Sequence, residues 1–162
     1  MISYNDHTLS QYLEKLSARE PVPGGGSAAA LVGAMGASLI AMAARYSLGK
    51  GKGDLIEQDI SAVISRVDAA RLKLIELSGQ DAQAYLDMVR TRKAGDTAAL
   101  KEAQAEASRV PGRIIALCQD CLAVTPYLYR EGNKHLFSDI KAAEAFLNAA
   151  VAAANFMQED NT

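Results

Sequence analysis

Cysteine and histidine are scarce in this chain, nothing in it reads as a strand, and neither sign of charge dominates. Two cysteines, Cys118 and Cys121, cannot build a disulfide framework. Their C-x-x-C spacing falls inside a helical pattern, where a reduced pair packs as small hydrophobes. The only histidines, His7 and His135, share no metal-ligand spacing with them, so no metal site is expected. A thioredoxin-like use of the pair needs a strand-helix-strand context that is missing. Against 19 acidic residues stand 17 basic ones, a formal charge of -2. That balance supplies no positive field for the phosphate contacts of a nucleic-acid binder, so nucleic acid is not an expected partner. No charged n-region leads into a compact apolar segment at the start, so no secretory signal is read and the cytoplasm is the expected address.

What the chain does hold is helical periodicity from end to end. At 162 residues, 49% hydrophobic and 22% charged, it fits one domain, residues 1–162, with enough apolar surface for a core. Leu9, Tyr12, Leu13 and Leu16 recur at helical spacing after the capping candidates Asn5 and Asp6, which predicts a short helix ending near Ser17. Pro21, Pro23, Gly24, Gly25 and Gly26 read as a loop, and Ser27 opens a long helix that ends about Leu48. Residues 28–44 carry no charge and approach the length of a membrane span. Much of that run is Ala and Gly, whose transfer energy is small, and Ala29, Gly33, Gly36, Ala37, Ala41 and Ala44 leave room for close packing. A central buried helix explains it better than a membrane does.

Gly49, Gly51 and Gly53 alternate with Lys50 and Lys52 in a turn, after which Asp54 begins a very long helix. Its seam, Ile56, Ile60, Val63, Val67, Ala70, Leu74 and Leu77, steps by four and three; the same steps reach Asp81, Ala84 and Met88. A carboxylate thus falls in an apolar seam. After a turn at Lys93 to Asp96, Leu100, Ala103, Val110, Ile114, Leu117 and Cys121 mark a fourth stretch with a kink or break expected at Pro111. It closes around Glu131, Gly132 and Asn133, and Ser138 and Asp139 are placed to cap a last helix through Ile140, Leu147 and Ala154. The fold class is therefore all-α, a bundle of five or six helices built round one long Ala/Gly-rich helix.

Residues 21–30, Pro-Val-Pro-Gly-Gly-Gly-Ser-Ala-Ala-Ala, continue through Gly33, Gly36, Ala37, Gly49 and Lys50. This run resembles the opening signature of the family that holds the C-terminal cyclodeaminase domain of formiminotransferase-cyclodeaminase and the methenyltetrahydrofolate cyclohydrolases. Similarity continues in Asp81 to Tyr85, in Val110-Pro111, in Gly132-Asn133 followed by Ser138-Asp139, and in the Ala-rich helix with Asn155. The resemblance implies a helical homodimer that takes a tetrahydrofolate as substrate and uses no cofactor. Two activities are implied: methenyltetrahydrofolate cyclohydrolase, or formiminotetrahydrofolate cyclodeaminase with release of ammonia. The first is preferred because no formiminotransferase domain precedes the helical one. Family chains usually carry a further C-terminal helical segment, and this one stops at Thr162. A non-catalytic dimer binding folate or a protein partner therefore stays as the rival.

The residue types suit that chemistry. A Gly-rich turn at a helix start presents unpaired N–H groups at the positive end of the helix dipole, a fit for carboxylates such as a folate's glutamates. Pro23, Gly24, Gly25, Gly26 and Ser27 are the candidates; the alternative is mere backbone permissiveness in a tight turn. Neither a Walker frame nor a dinucleotide spacing is present. Lys50 and Lys52 read either as a solvated turn or as a lure for a polyglutamate tail. Asp81 must be paired, hydrogen-bonded or facing a cavity: its alternatives are an ion pair with Arg45, Arg71 or Arg113, or a substrate whose cationic amidinium carbon it stabilises. Asp81, or Asp139 as a second carboxylate, is the candidate base for an attacking water. Asn133 and Asn155 match family positions fit to bond a pterin edge, though Asn after Gly also serves as a cap.

Overall fold

The computed structural model describes residues 2–160 and contains six α-helices: α1 Leu9–Ser17, α2 Gly25–Arg45, α3 Asp54–Ala94, α4 Thr97–Leu122, α5 Thr125–Glu131 and α6 Phe137–Asp160. A single 3-10 turn, Lys134–Leu136, separates α5 from α6. Four of the helices make the core. A methyl group added to the α2 glycines would meet Met157 from Gly25, Ala150 from Gly33 and Leu147 from Gly36, so α6 runs antiparallel to α2. In the same way Asp81 lies against Gly26 and Leu74 against Gly33, so α3 is antiparallel to α2 as well. With α4 closing the ring against α3 and α6, the helices alternate up-down-up-down, the simplest way for long amphipathic helices joined by short turns to bury their stripes.

Small residues decide the centre of this bundle. Cβ atoms at Gly33 and Gly36 would lie 2.7 Å from Cys118 Sγ and 2.7 Å from Leu147 Cγ, so α2 approaches its neighbours more closely than any side chain there permits. By length and composition Gly25–Arg45 is apolar enough to cross a membrane, but most of its apolar stretch is buried inside the bundle. Of the long seam, Ile60, Val67, Leu74 and Leu77 are fully buried and Ala70 is buried, while Ile56 and Val63 are half-buried against the same core. Cys118 and Cys121 are free and buried in this core, and desolvation pushes their thiols up to about 12 and about 11.

Several local expectations need correcting. The α1 cap is Thr8, not Asn5 or Asp6: its hydroxyl accepts from the Gln11 N–H while the Gln11 side chain accepts from the Thr8 N–H. Gly25 and Gly26 belong to the first turn of α2 rather than to the loop, because first-turn N–H groups need no partner four residues back and Gly24 takes the cap. Pro111 does not break α4, which runs through from Thr97 to Leu122. The break falls instead at Ala123–Val124, before Pro126, which sits at the start of α5 where its missing N–H costs nothing. Ser138 and Asp139 lie inside the first turn of α6, preceded by the 3-10 turn that Asn133 caps.

Candidate functional site

The loop of residues 18–24 delivers the chain into α2 through a cis Val22–Pro23 peptide, with Gly24 as N-cap. Beneath this start lies Asp81, in the C-terminal half of α3. Its carboxylate touches the glycine turn so closely that a Cβ at Gly26 would sit 2.1 Å from Oδ1 and 2.8 Å from Oδ2. The Ser27 backbone N–H donates to the carboxylate, an interaction that favours the charged form. Burial opposes it more strongly and raises the Asp81 carboxyl to about 6. None of the three arginines that offered an ordinary ion pair reaches it. Arg45 and Arg71 both bind Asp68, and Arg113 binds Glu106 at 2.6 Å.

Asp81 instead faces a cavity of about 300 Å³ whose walls include Gly24, Gly25, Gly26, Tyr85, Ala107 and Met157. Among the described residues it brings the only charge to that lining. Behind the carboxylate stands an aromatic wall that no sequence pattern places there. Tyr12 of α1 is buried, and its hydroxyl is 3.0 Å from the Ser27 hydroxyl. Tyr4 packs its ring edge-on against Tyr12, with centroids 5.2 Å apart. Desolvation raises both phenols, and the nearby Asp81 charge adds to the rise.

The residues read from sequence thus divide. Gly24, Gly25, Gly26 and Asp81 come together at the cavity. Pro23 and Ser27 are buried and do not line it; the Ser27 side chain serves Tyr12, and only its N–H serves Asp81. Asn155 is on the exposed side of α6, and Met157, two residues on and across the helix, faces the cavity in its place. Lys50, Lys52, Asn133 and Asp139 lie at the other end of the bundle, since the 21 residues of α2 separate the two ends by about 30 Å. There Lys52 Nζ donates to the Glu131 and Gly132 carbonyls at the end of α5. Asn133 accepts from the His135 N–H, donates from Nδ2 to the Tyr46 carbonyl at 3.4 Å, and donates its own N–H to the Ser47 hydroxyl at 2.8 Å. Both are structural ties in this geometry, and Asp139 shares no cavity with Asp81 within one chain. Lys50 stays exposed.

Tyr85, Tyr12 and Met157 are site residues that sequence reasoning misses. Tyr85 has a usable signal: it lies four residues after Asp81, hence on the same helix face. Tyr12 and Met157 have none, because each belongs to an ordinary apolar stripe.

Fold and cavity define a class: an antiparallel four-helix bundle with a carboxylate, free of any ion pair among the described residues, under a glycine-rich helix start. The family model of formiminotransferase-cyclodeaminase matches residues 8–162, and the chain belongs to that family. It is 29% identical over 147 residues to methenyltetrahydrofolate cyclohydrolase of Methylorubrum extorquens, covering 85% of this chain and 71% of that enzyme. The rat formimidoyltransferase-cyclodeaminase is also 29% identical, over 93% of this chain, which spans 30% of the rat protein's length. Among solved structures, formiminotetrahydrofolate cyclodeaminase of Thermotoga maritima superposes with a TM-score of 0.91 at 28% identity, covering 95% of this chain and 77% of that one.

Proposed function

We propose that the protein is a methenyltetrahydrofolate cyclohydrolase working as a homodimer without a cofactor, with Asp81 as its base. The observation that carries this reading is the Asp81 carboxylate, set against Gly26 and open to the cavity with no cation beside it among the described residues. A cationic amidinium carbon is the complement of such a group, because in a cavity with no competing cation the carboxylate stabilises the positive charge at short range.

The chemistry follows from its ionisation. With its pKa raised to about 6, Asp81 is ionised in most molecules at neutral pH, yet is far more basic than a surface carboxylate. Water adds to the carbon bridging N5 and N10, a C–O bond forms, and Asp81 takes one of the water's protons. The C–N5 bond then breaks; Asp81 returns its proton to N5, the remaining hydroxyl proton passes to solvent, and a formyl group stays on N10. The first-turn N–H groups of Gly25 and Gly26, at the positive end of α2, suit that oxygen as its remaining proton leaves and negative charge develops on it.

Likeness to the Thermotoga cyclodeaminase favours one second reading, closure of a formimino group with loss of ammonia. That reaction asks the site for an acid, and the raised carboxyl of Asp81 is the candidate for that role as well. The deciding experiment follows the near-ultraviolet absorbance of methenyltetrahydrofolate with purified protein, beside formiminotetrahydrofolate and beside Asp81→Asn. Loss of the methenyl signal above the buffer rate, abolished in Asp81→Asn, is the expected result. Turnover of the formimino substrate alone would select the second reading, and turnover of neither would leave a binding role.

A further inference from the structure

Tyr12 is a buried phenol that takes no part in the proton transfers of Asp81, and it does not line the Asp81 cavity. It stands between two spaces instead. On one side its hydroxyl meets the Ser27 hydroxyl at 3.0 Å, and the N–H of the same Ser27 donates to the Asp81 carboxylate. On the other side its ring, with that of Tyr4, walls a second groove of about 290 Å³ between α1 and the flanks of α2 and α3. The partition between that groove and Asp81 is aromatic and thin: the Tyr12 ring, 5% exposed, with the Tyr4 ring edge-on to it.

This wall is anchored. At Gly79, two residues before Asp81 on α3, a Cβ would come within 2.2 Å of the Ile2 carbonyl oxygen, so the segment that leads to Tyr4 lies directly on helix backbone. The Thr8–Gln11 capping box fixes the start of α1, and Tyr12 follows one turn later. Tyr4 of the N-terminal segment, Tyr12 of α1 and Ser27 of α2 face Asp81, with Tyr85 one turn further along α3. From α4 and α6 the cavity receives Ala107 and Met157, neither of which titrates. His7 lies beyond Tyr4, with ring centroids 5.6 Å apart, and Glu20 acts on Tyr4 from the loop. Among the described residues this set holds no lysine or arginine, so access of water governs how readily the carboxylate ionises.

We propose that Tyr12 is a positioning residue of the reaction: its ring seals the rear of Asp81 against water from the α1 groove and leaves the carboxylate open on the substrate side alone. The role rests on the reading of Asp81 as the base. Water at the rear would stabilise the charged carboxylate and weaken it as a base; a dry rear lets it take a proton from the attacking water more readily. The Tyr12 hydroxyl seats the ring, since its hydrogen bond goes to Ser27 and not to the carboxylate.

A titration that needs no turnover tests this. In protein isotopically labelled at the aspartate carboxyl carbons and followed by NMR, the signal missing from Asp81→Asn reports Asp81 directly, and its midpoint in the parent is expected at about 6. Tyr12→Ala is expected to lower that midpoint by about one pH unit, as water reaches the carboxylate from behind. Tyr12→Phe keeps the ring and is expected to leave the midpoint in place. With methenyltetrahydrofolate the acid limb of kcat/KM is expected to follow the same order, kcat falling several-fold in Tyr12→Ala with KM unchanged, because Tyr12 lines no part of the cavity. Tyr4→Ala thins the wall at a half-buried position, moves the midpoint the same way by less, and decides the matter if Tyr12→Ala does not fold. A midpoint unmoved in the folded alanine variants, with only stability lowered, overturns the role. So does an equal fall in Tyr12→Phe, which would assign the effect to the freed Ser27 hydroxyl. A parent protein without turnover counts against the cyclohydrolase reading, while the titration still decides what the wall does.

Discussion

The Asp81 carboxylate rests on the Cα of Gly26, with no space between them for a single methyl group. This contact joins the two motifs of the site, one on α2 and one on α3, 55 residues apart in sequence. It makes Gly26 the residue through which the helix start reaches Asp81. Gly24, by contrast, has nothing within 4 Å of the place a methyl group would take and a backbone φ of -127° open to any residue. Gly26→Ala is expected to displace the carboxylate and lower kcat/KM by at least about 100-fold, the scale on which misplaced catalytic groups act. Gly24→Ala is expected to stay within about threefold of the parent, in keeping with a site where no steric conflict arises. Equal loss in both, with folded spectra, would show that the Asp81 contact is irrelevant to turnover.

Asp81 also sets a pH dependence of stability. Its carboxyl is raised from 3.8 to about 6 in the folded chain, so the fold binds the proton more tightly than the unfolded chain does. The stabilisation is fully present below about pH 4 and is lost as pH rises through about 6. A rise of that size corresponds to about 3 kcal/mol, an upper bound because the group keeps some contact with solvent. Asp81→Asn removes the ionisation and retains an acceptor for the Ser27 N–H. Its melting temperature is expected to exceed the parent's at pH 7.5 and to match it at pH 4. Thermal unfolding at both values checks this, and a difference that is the same at both would assign the effect to packing. The acid limb of the parent's rate profile is expected near pH 6, where the same carboxyl loses its charge.

How far this site is legible in the sequence follows from the range of the forces involved. The Asp81 position within its seam, the closeness of the α2 packing and the all-helical class are local or periodic properties, and periodicity reports them directly. The start of α2 lies two residues ahead of the position expected from sequence, because glycine has low helix propensity and the tertiary contact with Asp81 overrides it. The α4–α5 break escapes the sequence, which points to Pro111 in its stead, because the cost of a proline inside a helix depends on what the surrounding core imposes. Tyr12 reaches Ser27 across 15 residues, and no spacing rule foretells such a pair. Lys52 and Asn133 group with the glycine turn only by motif character, whereas helix length puts them at the other end of the bundle.

Close packing at the centre of α2 carries its own test. A Cβ at Gly36 would lie 2.7 Å from Leu147 Cγ and 3.1 Å from the Ala143 carbonyl oxygen, and the second of these belongs to rigid helix backbone. The intrinsic gain of alanine over glycine in a helix, up to about 1 kcal/mol, is therefore outweighed by the strain of forcing α2 and α6 apart. Gly36→Ala is expected to lose about 1–3 kcal/mol, which for a chain of this size lowers the melting temperature by several degrees. Calorimetry decides it, and a rise in melting temperature would show that the α2–α6 contact yields without cost.

The two lysines of the 49–53 turn are expected to separate cleanly. Lys52 bonds the carbonyls of Glu131 and Gly132 at the C-terminal end of α5, where a cation also meets the negative end of the helix dipole. Lys50 is exposed and contributes little to the fold. Lys52→Met is expected to lower stability by about 1 kcal/mol, the worth of one charged hydrogen bond near a surface, and to leave KM within about twofold. Lys50→Met is expected to leave the melting temperature within a degree or so and to raise KM for polyglutamylated substrate, with the difference shrinking at high salt. Melting curves and KM values at two ionic strengths measure both. The reverse assignment, stability lost with Lys50 and affinity with Lys52, would mean that the 49–53 turn is held differently when substrate binds and that Lys52 leaves α5 to meet it.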